Sequence, residues 1–220
     1  MLLVFDYDGT LHDTARLYGS AVRKAYSQLV KAGYAQERFY SDQQLSKYLG
    51  MTPGEMWADF MPDLPQSIMK QASDNIGFEM TSQIQNGSAH LYSGIRQALD
   101  TLKTDGHTMV ILSNCKNQYM AAHRKYFNLD KWFEKYYCAE EYGFIPKEVI
   151  FNFIADDYPD KKYIVIGDRE SDIKAAAEHG AFSIGCLYGF GCKEELADCD
   201  VIIDNPSKLV DTIRNYSYGL

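Results

Sequence analysis

Two aspartates placed two residues apart, Asp6 and Asp8, are the residues of this sequence whose types and spacing best suit chemistry. They follow directly on the apolar run Leu2–Phe5, which predicts a short buried strand. Alternate side chains of a strand point to one face, so the pair shares a direction if strand geometry continues. Gly9 then permits a tight turn around whatever the carboxylates hold. Because open α/β sheets bind ligands at the carboxyl ends of their strands, this junction predicts a site.

Polar and charged residues that could complete such a site recur downstream, near the ends of predicted strands or between them. In chain order they are Ser113, Asn114, Lys147, Asp168 and Asp172. The last two follow the apolar run 163–166, so they repeat the strand-to-acid layout of the first junction. An Asx turn with purely local hydrogen bonds would explain the first acid pair taken alone. It does not explain an acid pair, a hydroxyl, a lysine and a second acid pair in this order.

The net charge of −8 lies entirely in the part of the chain that holds these acids. Residues 15–89 contain equal numbers of basic and acidic side chains, so the excess of acid lies in the rest of the chain. Clustered carboxylates repel one another unless a cation joins them. Because carboxylate oxygens are hard ligands, the sequence predicts Mg²⁺ as the cofactor.

The combined pattern resembles the haloacid dehalogenase superfamily, in its helical-cap branch with phosphoglycolate phosphatase-like and β-phosphoglucomutase-like members. The resemblance rests on residues 6–11 (DYDGTL), Ser113, Lys147 and residues 167–172 (GDRESD), and it covers nearly the whole chain. It implies phosphotransfer chemistry on a doubly wound, parallel α/β sheet with a Rossmann-like core. The departure from the family is small: many members have Lys-Pro where this chain has Pro146-Lys147.

This chemistry gives each motif residue an expected role. Asp6 is the expected nucleophile, which attacks phosphorus to form an aspartyl-phosphate. Asp8 is the expected general acid–base, which protonates the leaving alcohol and then activates water. Ser113, Asn114 and Lys147 are expected to bind the phosphoryl group through a hydroxyl, a backbone N–H and a fixed positive charge.

The same resemblance implies the metal ligands. Mg²⁺ is expected to bind a carboxylate oxygen of Asp6, the backbone carbonyl of Asp8, and Asp168. Asp172 either contacts the ion through water or holds Lys147 in place.

Local roles remain as alternatives for several of these residues. Lys147 could be an exposed residue at a helix start, Ser113 a strand-end hydroxyl, and Asn114 a partner of nearby backbone. His12 lies close to the acids, but its position varies in the family, so we assign it no catalytic role.

The sequence predicts a core of two segments, 1–14 and 90–220, and a small helical cap, 15–89, inserted after the first strand. Strand-like and helix-like runs alternate from residue 90 onward, which indicates a parallel doubly wound sheet. The insertion instead carries helix signals, such as the capping boxes that begin at Ser41 and Thr52.

Within the insertion, the apolar stripe Met56, Trp57, Phe60 and Met61 favours packing between cap helices over lining a pocket. Weak candidates for substrate contact lie on a predicted loop between helices: Lys47, Tyr48, Met51 and Thr52.

Composition narrows the function classes. The acidic balance argues against a nucleic-acid partner, which needs a basic face. Apolar runs of about five residues fall far short of the ~20 needed to cross a bilayer, and residues 1–5 lack the features of a signal peptide. Five cysteines without a C-x-x-C pair indicate reduced thiols, so we predict a cytoplasmic protein without membrane or nucleic-acid partners. The sequence leaves the oligomeric state open.

The predicted function is a Mg²⁺-dependent phosphatase that hydrolyses a small phosphomonoester, of phosphoglycolate or nucleotide type. Asp8 argues against a dehalogenase, which has no leaving alcohol to protonate. Gly167 argues against a sugar phosphomutase of the same fold, because those enzymes typically carry Glu-Asp in this motif. The mutase remains the main alternative, and a non-catalytic phosphate-binding module is the other.

Overall fold

A parallel β-sheet forms the centre of the molecule in a computed structural model of the chain. The structure describes residues 1–219, with only the backbone described for Arg16 and Tyr218. The strands are β1 (Leu2–Phe5), β2 (Thr108–Ser113), β3 (Lys135–Cys138), β4 (Tyr163–Gly167), β5 (Phe182–Cys186) and β6 (Val201–Ile203). They form one six-stranded sheet in the order β3-β2-β1-β4-β5-β6, and every neighbouring pair is parallel. The predicted α/β, doubly wound, Rossmann-like fold is confirmed.

Helices connect the strands and cover the sheet. Between β1 and β2 lie α1 (Ala15–Lys31), α2 (Asp42–Ser46), α3 (Pro53–Phe60), α4 (Gln66–Gln85) and α5 (Ile95–Thr104). The later helices are α6 (Asn117–Phe127), α7 (Lys147–Asp157), α8 (Glu170–Glu178) and α9 (Leu209–Tyr218). None of the helices in residues 1–219 is long and apolar enough to cross a membrane.

The strand β1 shows why the strands of this sheet have unbroken apolar sequences. All four of its residues are buried, because helices cover both faces of the sheet. Leu3 and Phe5 face the core that α5, α6 and α9 cover, whereas Leu2 and Val4 face the core under α7 and α8. A side chain just past β1 therefore contacts a different set of helices according to the face of the sheet to which it points.

Local capping signals set the starts of two short helices between β1 and β2. The side chain of Ser41 caps α2 and that of Thr52 caps α3, and Gln44 and Glu55 complete the two capping boxes. Both capping boxes match the sequence prediction. The loop between these helices, residues 47–51, reaches the carboxyl end of the sheet through contacts of its backbone carbonyls.

Candidate active site

Asp6 lies one residue beyond β1, at the carboxyl end of the central strand. Its backbone N–H donates to the carbonyl of Ile166 at 2.8 Å, which extends the pairing with β4 by one residue. The side chain follows the face of Leu2 and Val4, and it is only 4% exposed. Burial raises the pKa of Asp6 well above its usual range, although Lys147 opposes that shift. A buried carboxylate here needs cations around it.

Lys147 supplies one such cation. It is the first residue of α7, and its Nζ lies 2.6 Å from Asp6 Oδ1 and 2.6 Å from Asp172 Oδ1. Burial disfavours its charge, but the charges of Asp172 and Asp6 together raise the pKa of Lys147 above its ordinary value. Because the side chain is buried, the alternative of an exposed residue at a helix start is wrong.

Asp168 is held by both of its carboxylate oxygens. Thr10 Oγ1 donates to Oδ1 at 3.1 Å, and the backbone N–H of Phe190 donates to Oδ2 at 2.8 Å. The residue is fully buried, and burial together with the charge of Asp172 raises the pKa of Asp168 to about 6. The loop that carries Phe190 also packs tightly here, since a Cβ on Gly191 would lie 1.8 Å from the Asp168 carbonyl oxygen.

Asp172 connects the lysine to the start of α8. Its Oδ1 accepts from Lys147, and its Oδ2 accepts from the backbone N–H of Arg169 at 3.1 Å. Of the two roles considered for Asp172, direct support of Lys147 is the one that the geometry favours. Gly167 makes room for this arrangement, because a Cβ at that position would lie 2.1 Å from Asp172 Cγ.

We expect Gly167→Ala to push Asp172 away from Lys147, because β4 fixes the backbone at this point. The expected cost is about 1–3 kcal/mol of folding stability, as for other overpacked sites, together with at least a tenfold fall in kcat. Urea unfolding and steady-state kinetics measure the two effects. The matched control is Gly54→Ala in α3, where a Cβ meets nothing within 4 Å. Equal behaviour of the two variants would contradict the prediction.

Three acids meet the requirements for a divalent cation. Asp6, Asp168 and Asp172 are buried, and each offers an oxygen within 4.8 Å of those of the other two. Asp6 Oδ2 is buried with no hydrogen-bond partner among the described residues. Lys147 contributes one positive charge against three carboxylates, which leaves the cluster acidic. The donor set therefore fits a hard cation such as Mg²⁺.

Asp8 has different neighbours from Asp6. Asp6 contacts Lys147 of α7, whereas Asp8 contacts Tyr119 of α6, so the two aspartates do not point to the same face of the sheet. Asp8 Oδ1 accepts hydrogen bonds from Tyr119 at 2.7 Å and Thr14 at 2.5 Å, and His12 Nδ1 lies 3.3 Å away. Burial would raise the pKa of Asp8, but the hydrogen bond and charge of His12 and the hydrogen bond from Thr14 outweigh it and lower the pKa.

Aromatic rings pack behind Asp8 on the α6 side of the sheet. His12 and His123 are fully buried with ring centroids 4.4 Å apart, and Tyr7 hydrogen-bonds His123 Nδ1 at 2.7 Å. Burial lowers the pKa of His123 well below its ordinary value, so that ring is neutral. His12, left without a catalytic role by the sequence, thus contacts the expected general acid–base.

A cavity opens above these acids. It contains about 830 Å³ of space, part of which is open solvent, and Asp6, Asp8, Ser113 and Asn114 all line it. Asn114 Nδ2 donates to the Gly50 carbonyl at 2.9 Å, so its side chain contacts the 47–51 loop. The predicted phosphate-binding residues Ser113 and Asn114 thus lie at the same cavity as both aspartates. Lys147, Asp168 and Asp172 lie directly behind Asp6.

Sequence reasoning missed the residues that hold the acids in place. Thr10, Thr14 and the Phe190 backbone N–H donate to carboxylates. Thr10 lies within the first motif but was given no role, and Thr14 and Phe190 lie outside the motifs. Tyr119 lies 111 residues from its partner Asp8, and no local signal marks it. Two glycines around Phe190 were the available hint, because such a loop often allows close backbone approach.

Known structures share this fold over nearly the whole chain. A predicted phosphatase from Clostridium acetobutylicum has a TM-score of 0.84 and 22% identity, over 97% of this chain and 98% of that one. CbbY from Rhodobacter sphaeroides, solved in complex with phosphate, has a TM-score of 0.77 and 19% identity, over 94% and 95%. At such identities these similarities establish the fold alone.

Sequence comparison establishes the family. Phosphoglycolate phosphatase from Vibrio parahaemolyticus is 24% identical over 96% of this chain and 95% of its own length. A 5′-nucleotidase from Pseudomonas aeruginosa is 28% identical over 54% of each chain. The family described as haloacid dehalogenase-like hydrolase matches residues 3–186. The chain belongs to this family of hydrolases.

Proposed function

We propose that this hydrolase is a Mg²⁺-dependent phosphatase that cleaves a small phosphomonoester through a phosphorylated Asp6. One observation carries the proposal: Lys147 bridges Asp6 and Asp172 within a buried acid cluster at the floor of a cavity. A purely structural role for Lys147 does not explain why the Asp6 carboxylate that it holds lines the cavity and has one oxygen without a hydrogen-bond partner among the described residues.

In the first step, an oxygen of Asp6 attacks phosphorus and the bond from phosphorus to the leaving oxygen breaks. Asp8 donates a proton to that oxygen, so the product leaves as a neutral alcohol. Lys147 holds the Asp6 carboxylate in position through its hydrogen bond to Oδ1. Ser113 and the backbone N–H of Asn114 would donate to the phosphoryl oxygens.

In the second step, water attacks the phosphorus of the aspartyl-phosphate and the bond between phosphorus and Asp6 breaks. Asp8, now ionised, takes a proton from that water. The hydrogen bonds from Tyr119 and Thr14 favour the ionised form of Asp8, which suits this half of the cycle. Inorganic phosphate leaves and the free carboxylate of Asp6 is restored.

Asp6 and Asp168, with the backbone carbonyl of Asp8, would hold Mg²⁺, and Asp172 would assist from beside Lys147. When bound, the ion neutralises charge on the transferring phosphoryl group.

We further propose that residues 15–89 act as a cap over a core formed by 1–14 and 90–220. The predicted chemical residues all come from the core, whereas much of the cavity wall comes from α1, α3, α4 and the 47–51 loop. A cap of this kind excludes water from the phosphorylated Asp6 and admits small substrates.

The alternatives have less support. A mutase-type glutamate at position 167 would need the space that Asp172 occupies, since even a Cβ there lies 2.1 Å from Asp172 Cγ. A binding module without activity does not require the buried Lys147 or the cluster of acids around Asp6.

Phosphate release from a panel of phosphomonoesters tests the proposal. The panel contains phosphoglycolate, nucleoside monophosphates, sugar phosphates and an aryl phosphate, each assayed with and without Mg²⁺. The Asp6→Asn protein serves as the blank for contaminating phosphatases. Mg²⁺-dependent release above that blank supports the phosphatase. No release from any substrate overturns it, and sugar-phosphate isomerisation would then be the activity to assay.

Metal binding is expected to weaken in acid. Asp168 has a pKa of about 6 in the metal-free protein, so it holds its proton below that pH and must lose it to bind a cation. The apparent affinity for Mg²⁺ should therefore fall by at least about tenfold for each pH unit below 6, because Asp6, whose pKa burial also raises, must lose its proton as well. Calorimetric titration with Mg²⁺ between pH 5 and 8 measures this dependence. An affinity unchanged over that range would contradict it.

A further inference from the structure

We infer that the substrate's leaving alcohol is an uncharged group with an aromatic or bulky apolar body, and carries no second anion. The inference rests on the proposed phosphatase function and narrows its substrate class. It comes from the composition of the cavity wall opposite Asp6 and Asp8.

The wall is apolar and largely preformed. Its side chains come from α3, α4 and the loop before α3, and include Leu49, Met51, Met56, Trp57, Ile76 and Met80. All of these except the partly buried Met51 are less than 9% exposed. Trp57 donates its indole N–H to Ser73 at 2.6 Å, so its one polar atom is already satisfied. The apolar stripe of α3 was predicted to pack between helices, and Met56 and Trp57 do so while also lining the cavity.

These side chains suit a flat or bulky apolar ligand. Methionine is flexible and polarisable, so it adapts to ligand shape and makes favourable contacts with aromatic rings. Trp57 and Tyr48 offer rings on which an aromatic group can pack. Burial raises the pKa of Tyr18, which also lines the cavity, further above its ordinary value, so this side chain stays uncharged.

A second anion on the substrate would lack a partner. Among the described side chains that line the cavity, Lys116 is the only basic one, and its Nζ lies 2.7 Å from Asp74. Two other basic residues near the site, Lys147 and Arg169, are held by Asp6 with Asp172 and by Glu195. A substrate carboxylate would therefore face an apolar wall and two acids, which is unfavourable without a counter-ion. Phosphoglycolate carries such a carboxylate, whereas a nucleoside does not.

Three alkyl phosphates test how the size and charge of the leaving alcohol affect hydrolysis. Methyl, benzyl and 4-carboxybenzyl phosphate differ in the size and charge of the leaving alcohol, but the three alcohols have similar acidity. We expect kcat/KM for benzyl phosphate to exceed those for methyl and 4-carboxybenzyl phosphate by at least about tenfold, equivalent to ~1.4 kcal/mol.

Variants of Met51 test whether the apolar cavity wall causes this preference for benzyl phosphate. Met51→Ala should lower kcat/KM for benzyl phosphate severalfold and leave methyl phosphate within about twofold, since only the larger body reaches the side chain. Met51→Lys should favour 4-carboxybenzyl over benzyl phosphate by about tenfold relative to wild type. Met69→Ala is the matched control, because Met69 is partly buried on α4 but does not line the cavity.

The outcomes separate the two proposals. Turnover of 4-carboxybenzyl phosphate or phosphoglycolate that equals or exceeds that of benzyl phosphate overturns the inference and leaves the phosphatase standing. An equal loss on both methyl and benzyl phosphate in Met51→Ala and Met69→Ala would also overturn it, because the wall would then act only through folding. Failure to hydrolyse any monoester overturns the phosphatase, and the inference with it.

Discussion

Asp6→Asn is expected to slow phosphate release by at least about 10³–10⁴-fold, the loss typical of removing a catalytic nucleophile. The amide has nearly the same size as the carboxylate, but it is a far weaker nucleophile towards phosphorus. It also still offers an oxygen to Lys147, so the local structure should persist. Removing one of the clustered buried charges relieves repulsion from Asp168 and Asp172, so thermal stability should not fall.

Asp8→Asn provides the matched control for this variant. It lacks the general acid–base but keeps the nucleophile, so with an aryl phosphate, whose leaving group needs little protonation, it should form the aspartyl-phosphate and hydrolyse it slowly. Quenched-flow mass spectrometry should detect one added phosphoryl group on the Asp8→Asn protein and none on Asp6→Asn. Phosphorylation of the Asp6→Asn protein at another residue would assign the nucleophile elsewhere.

Lys147→Met is expected to destabilise the fold and also impair activity. The change leaves Asp6 and Asp172 buried without the cation that now bridges them, and breaking such a pair costs about 3–5 kcal/mol. Loss of a fixed positive charge from the transition state should lower kcat about 10²–10³-fold, as for other electrostatic groups.

The stability deficit of this variant should depend on pH. Without Lys147, the pKa of the buried Asp6 carboxyl lies further above its unfolded value, so the folded state favours the protonated form. Stability is then retained at low pH and lost as the pH rises, which makes the deficit larger at pH 7.5 than at pH 5.5. Urea unfolding at the two pH values measures it.

Lys174→Met is the comparison for that experiment. Lys174 pairs with Glu170 on the exposed surface of α8 at 2.8 Å, a kind of pair that contributes little to stability. If both lysine variants lose similar stability, the buried bridge is not the stabilising element that its geometry suggests.

The strands were the most predictable part of this chain. Runs such as Leu2–Phe5 and Tyr163–Gly167 are buried on both faces, so their apolar content alone marks them. The capping boxes of α2 and α3 were also readable, because the residues that bond are three apart in sequence. Helix α9 was not predicted, although Leu209, Ile213 and Tyr216 recur at the spacing of one helix face.

Motif order was enough to nominate the site residues, but it could not give their contacts. Where β1 stops decides whether Asp8 keeps the direction of Asp6, and that depends on the turn after it. Tyr119 and Asp8 meet only because α6 packs on one particular face of the sheet. Periodicity likewise identified the buried face of α3 without showing that part of it borders empty space.

The position of β1 in the sheet has a consequence for the newborn chain. β1 is synthesised before the other strands, yet it lies in the interior of the sheet between β2 and β4. Its pairing with β4, for example of Leu2 with Tyr163, joins it to a strand that is made much later. At roughly 5–20 residues per second, the ribosome needs about 8–30 s to span the 158 residues from Thr10 to Asp168. During that interval β1 lacks one of its two neighbours, so its apolar side chains and unpaired backbone are open to non-native pairing until β4 has been made.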